Sequence, residues 1–85
     1  MLYDVLFAPA AERQLAKLAR PAREMILASI VALASNPRPT GCVKLEGAES
    51  LWRVRVRDYR VVYQITDRQL LVTVVKIGHR KDVYR

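Results

Sequence analysis

In the stretch LWRVRVRDYRVVYQI, residues 51–65, four arginines interrupt a run otherwise suited to buried β-strands. Arg53, Arg55 and Arg57 recur at every second position, so an extended chain sets them on one face about 7 Å apart, a ladder of cations on which a chain of phosphates could lie. The planar guanidinium donates in pairs to phosphate oxygens. The other reading is a solvated strand charged against edge-to-edge aggregation, although that task falls more often to lysine. Arg60 opens the next apolar run, and Arg80 and Lys81 follow the last long one, so an antiparallel meander would gather them beside Arg53 and Arg55. Tyr84 offers that groove a ring or a phenol, or else packs on the core. His79, a lone histidine, is either structural or a participant. One chemistry needs no more than this: RNA cleavage in which the 2′-hydroxyl attacks the adjacent phosphorus, cations stabilise the oxyanion, and a further group protonates the leaving oxygen.

Other chemistries find no support. The sequence shows no carboxylate pair, no Ser/His/Asp set and no glycine-rich phosphate loop. With one cysteine, Cys42, and one histidine, neither an internal disulfide nor a zinc site is expected, and Cys42 reads as an ordinary loop thiol. No metal or other cofactor is implied. The formal net charge is +7 over 85 residues, which suits a polyanionic partner. It is unevenly placed: residues 1–42 carry five Lys/Arg against three Asp/Glu, giving +2, and residues 43–85 carry ten against five, giving +5. The longest apolar run, EMILASIVALAS, is too short to span a bilayer, and the start MLYDVLFAPAAERQ lacks a basic n-region. A cytoplasmic location without membrane contact is the expectation.

The elements that must hold the arginines follow from period and punctuation. LYDVLFA, residues 2–8, alternates as a strand. Pro9 suits the first turn of a helix whose Ala11, Leu15 and Leu18 form one stripe. Pro21 opens a second helix, with Met25, Ile26, Ile30 and Leu33 at helical spacing, which SNPRPTG ends. After the short piece CVKLEG, the runs from Leu51 to Arg57, RVVYQIT and QLLVTVVKI read as an antiparallel meander, and the tail GHRKDVYR begins after the last run with a turn-permitting Gly78. In the first run Trp52, Val54 and Val56 face one way and Arg53, Arg55 and Arg57 the other. The prediction is an α+β domain spanning residues 1–85: an N-terminal strand, a helical hairpin, and a three- to four-stranded antiparallel sheet with the helices on one face.

NPRPTGCVKLEG, LWRVRVRDYRVVYQI and IGHRKDVYR, in this order and with FAPAAERQLAKL before them, resemble the RelE/ParE superfamily of type II toxin-antitoxin toxins over essentially the whole chain. The GHRKDVY ending looks like the RelE branch. The resemblance implies a ribosome-dependent, metal-independent mRNA endoribonuclease that inhibits translation, its catalytic face carrying Arg53, Arg55, Arg60, Arg80 and Tyr84. Arg60 and Arg80 would hold the scissile phosphate, and Tyr84 would orient the nucleotide or share in proton transfer. Lys44, in the KL segment, would contact ribosomal RNA, with Arg57, His79 and Lys81 as further RNA-binding candidates. Arg53 and Arg55 stand where RelE enzymes carry lysines, so they stabilise charge without exchanging a proton, which leaves that task to Tyr84, His79 or Lys81. Glu46 replaces a basic residue of some relatives. The sequence stops one residue past Tyr84, which implies an open active face. The implied partner is an acidic, DNA-binding, RelB-like antitoxin in a hetero-oligomer. Two alternatives stand beside this: a ParE-like inhibitor of DNA gyrase without nuclease chemistry, and a basic RNA-binding domain.

Overall fold

The computed structural model describes residues 2–47 and 50–79. Strand β1 (Asp4–Phe7) leads into helix α1 (Pro9–Ala16) and helix α2 (Arg20–Leu33), followed by β2 (Val43–Lys44), β3 (Leu51–Val56), β4 (Tyr59–Thr66), a 3-10 turn (Asp67–Gln69) and β5 (Leu71–His79). Neither helix has a side-chain N-cap; each instead begins with a proline in its first turn, where the missing N–H leaves no bond unmade. The α+β class is as expected, and one detail of the sheet differs. It has five strands in the order β1-β5-β4-β3-β2, and it is mixed rather than wholly antiparallel. β1 lies at the edge, parallel to β5, from Asp4 opposite Leu71 to Phe7 opposite Val74. A parallel neighbour needs a long crossover, and everything from α1 to β4 lies between these two strands.

The core forms where the helices meet one sheet face. Ala11, Ile26, Ile30 and Leu33 pack with Val54, Val56, Val61, Tyr63, Ile65, Val72, Val74 and Ile77. Each fully buried aliphatic side chain there contributes about 1.5–3 kcal/mol relative to exposure. In β4 the inward positions alternate strictly, whereas β5 buries Val72, Val74 and then Ile77. The break is a β-bulge: Val62 pairs with Lys76 and Tyr63 with Val74, leaving Val75 as the extra residue.

Side chains tie the connections to this frame. Tyr63 donates its hydroxyl proton to the Pro37 carbonyl at 2.7 Å. Arg38 donates to Asp67 at 2.8 and 3.3 Å and lies 5.1 Å over the Trp52 ring, while the Tyr3 hydroxyl donates to the same carboxylate at 2.6 Å. β1 ends opposite Val74, so among the described residues the β5 edge beyond it has no strand partner; the Ile77 N–H donates instead to Gln14 Oε1 of α1 at 2.7 Å.

Two local expectations are corrected. The arginine strand ends at Val56, and Arg57 occupies the two-residue hairpin turn at φ 54, where a primed turn demands a positive φ. Gly78 does not turn the chain: β5 continues through it to His79, and it pairs with Arg60. Among the described residues no helix is long and apolar enough to cross a membrane.

Candidate RNA-binding face

Opposite the helices, the ladder assembles a cationic patch. Arg53 and Arg55 alternate along β3, with their core-facing neighbours Val54 and Val56 pointing the other way. Arg55 stands directly across from Arg60, and Arg60 from Gly78, so two guanidinium groups and a glycine form one row. The next row holds Arg53, Val62 and Lys76. Lys76 is a residue that sequence reasoning missed. Strict alternation from Val72 and Val74 would send it toward the helices, and the bulge turns it to the arginine side.

Arg55 is exposed, yet Arg60 is only 2% exposed and Val62 7%, although Val62 lies outside the helix-facing core. A guanidinium stays charged wherever it sits, so one this deeply placed must be hydrogen-bonded or paired. One such contact runs from Arg60 Nη1 to the Tyr59 carbonyl at 3.3 Å. The glycine across the ladder adds no side chain to the crowding around it.

The other candidates divide. Lys44 pairs with Trp52 and His79 with Tyr59, so both belong to the helix-side alternation rather than to the arginine rows. The His79 ring meets Tyr59 edge to face, centroids 5.8 Å apart. Arg57 is exposed at the hairpin tip beyond the rows. Arg80, Lys81 and Tyr84 lie outside the described residues. Beside the patch, at the β2–β3 edge, an open pocket of ≈ 360 Å³ is lined by Thr40, Gly41, Val43, Arg53, Val54 and Arg55. Among the described residues, no group of three or more His, Cys, Asp or Glu is gathered as a metal ion would require. Such a face can grip phosphates and stabilise negative charge developing on one of them.

Comparison with known proteins places this fold among small toxins. Residues 5–84 match the family described as ParE toxin of type II toxin-antitoxin system, parDE. The mRNA interferase toxin RelE of Escherichia coli (strain K12) is 30% identical over 83 residues, which cover 95% of this chain and 86% of that protein. Toxin RelG of Mycobacterium tuberculosis (strain ATCC 25618 / H37Rv) is 33% identical over 90 residues, covering 100% of this chain and 99% of it. The toxin fold in the crystal structure of the intact E. coli RelBE toxin-antitoxin complex superposes with a TM-score of 0.81 at 29% identity, over 91% of this chain and 95% of that one. The chain belongs to the RelE/ParE superfamily of toxins.

Proposed function

We propose that this protein is the toxin of a type II toxin-antitoxin pair and that it cleaves mRNA on the ribosome without a metal ion. The observation that carries this reading is the row in which exposed Arg55 faces buried Arg60, with Arg53 beside them. The naming of the E. coli relative as an mRNA interferase supports it. Arg60, buried beside Arg55, stabilises the charge that builds on the scissile phosphate, which Arg80 holds. Arg53 and Arg55 neutralise the flanking phosphates. None of these arginines exchanges a proton at neutral pH, so proton transfer belongs to Tyr84, with Lys81 as its substitute; His79, expected as a third candidate, stands on the helix side of β5 against Tyr59 and not in the arginine rows. Arg57 and Lys81 extend the contact to ribosomal or messenger RNA, and Lys44 and His79, on the helix-side alternation, meet RNA that passes beyond the sheet edge. A cognate antitoxin, acidic, DNA-binding and RelB-like, neutralises this face in a cytoplasmic complex; the E. coli relative's structure with an antitoxin supports that expectation.

The test replaces Arg60 by methionine, which keeps length and removes charge. Because the exchange removes one side of a buried interaction, a thermal melt first establishes that Arg60→Met is folded, and Arg60→Lys, which keeps the charge, is the companion variant. Loss of a preorganised donor lowers cleavage by about two to three orders of magnitude. Full cleavage of a translated reporter mRNA by Arg60→Met defeats the assignment. The ParE name of the matching family motivates one parallel measurement. Intact mRNA together with arrested DNA supercoiling by the wild type replaces the nuclease reading with gyrase inhibition.

A further inference from the structure

We propose that the pocket beside Arg53 and Arg55 receives the base and sugar of one nucleotide of the RNA, and so selects which sequences are cut; this rests on the ribonuclease reading above. At ≈ 360 Å³ it falls in the size range of small-ligand sites, about 300–1,000 Å³. Its walls differ in chemistry. Arg53 and Arg55 form the cationic side, where the phosphates on either side of the nucleotide lie. Val43 pairs with Arg53, shares its face and is 44% exposed, giving an apolar surface beside the charges against which a base or ribose can rest. The Thr40 hydroxyl can donate and accept, as reading a base edge requires. Gly41, at φ +91, has no atom within 4 Å of where a Cβ would stand, so its backbone borders open space.

The rim is held before anything binds. Cys42 N–H donates to the Pro39 carbonyl at 3.0 Å, Tyr63 fixes Pro37, and Arg38 is clamped between Asp67 and Trp52. A pocket ordered in advance binds with less loss of conformational freedom than one that must be ordered by its ligand.

Translating ribosomes stalled on mRNAs with a randomised A-site codon, treated with purified toxin and sequenced at the new 3′ ends, give a ranking of cleaved codons. Thr40→Ala and Val43→Trp are compared with wild type after thermal melts show that each is folded. The expected result is a reordering in which at least one pair of codons changes its ratio by about tenfold or more, tenfold being the lower end of what a single methylene confers in a pocket. If Val43→Trp abolishes cleavage, Thr40→Ala alone decides. A ranking unchanged in every active variant, whether total cleavage holds or falls uniformly, overturns the pocket assignment. Wild-type protein that leaves every mRNA intact overturns the ribonuclease reading itself.

Discussion

Arg55 and Arg60 stand directly opposite each other across the β3–β4 ladder, roughly 5 Å apart at Cα, one exposed and the other buried. Like charges so placed destabilise a sheet by about 0.2–1 kcal/mol. Arg55→Gln is therefore expected to raise the melting temperature slightly at low salt, with the gain shrinking in high salt, while cleavage falls. A lower melting temperature at low salt would show that the pair is not repulsive in the free protein.

Binding should report how many phosphates the exposed ladder neutralises. For a single strand, each contact adds about 0.7 to the slope of log affinity against log salt. The double variant Arg53→Gln/Arg55→Gln should bind a short single-stranded RNA with a slope flatter by about 1.4. An unchanged slope removes both arginines from the phosphate path.

The clamp on the loop after α2 carries a pH signature. Hydrogen bonds from Arg38, and next from Tyr3, hold the Asp67 carboxyl below its ordinary value of 3.8. A group whose pKa falls on folding contributes stability above its unfolded value, and that contribution disappears as pH drops through the lower, folded value. Wild type should thus lose an increment of melting temperature below about pH 4 that Asp67→Asn lacks, with the two running parallel from about pH 5 to 8. Parallel curves down to about pH 3 would make the clamp energetically silent. Its exposure argues for a small effect.

Gln14 caps a backbone donor that no described strand reaches. Gln14→Ala leaves the Ile77 N–H to water or to nothing, an expected loss of about 1–3 kcal/mol in chemical denaturation. Amide exchange at Ile77 should accelerate more than at Val72 or Val74. Uniform acceleration across β5 would instead indicate global destabilisation.

Much of this architecture is legible in local pattern. The alternation Arg53, Val54, Arg55, Val56 states which face is dry, and Pro9 and Pro21 mark the helix starts because proline constrains the backbone within a residue or two of itself. What escapes local reading depends on partners far away in the chain. The parallel docking of β1 on β5 is one case, since neither strand encodes the other's direction. Arg60 reads as one more cation of a series, and only the ladder reveals it as the buried one. Gly78 signals a turn in isolation, whereas pairing with Arg60 keeps it extended. Arg38 and Gln14 carry nothing in their neighbourhoods to announce that they bind Asp67 and the Ile77 amide.

The extra residue in β5, Val75, works as a phase converter between the two ends of one strand. Before it, Val72 and Val74 obey the parity that seals the core; after it, Ile77 takes up that duty, and Lys76 and Gly78 are released to the opposite surface. The segment that completes the fold and the segment that borders the arginines can therefore vary under separate constraints. Drawing Val75 into the ladder would shift the distal register by one residue, swinging Ile77 outward and Gly78 inward, whereas deleting it would leave both on their present faces. A slip of register by one residue beyond the bulge would be felt at both surfaces at once, where a change of side chain at either end is felt at only one.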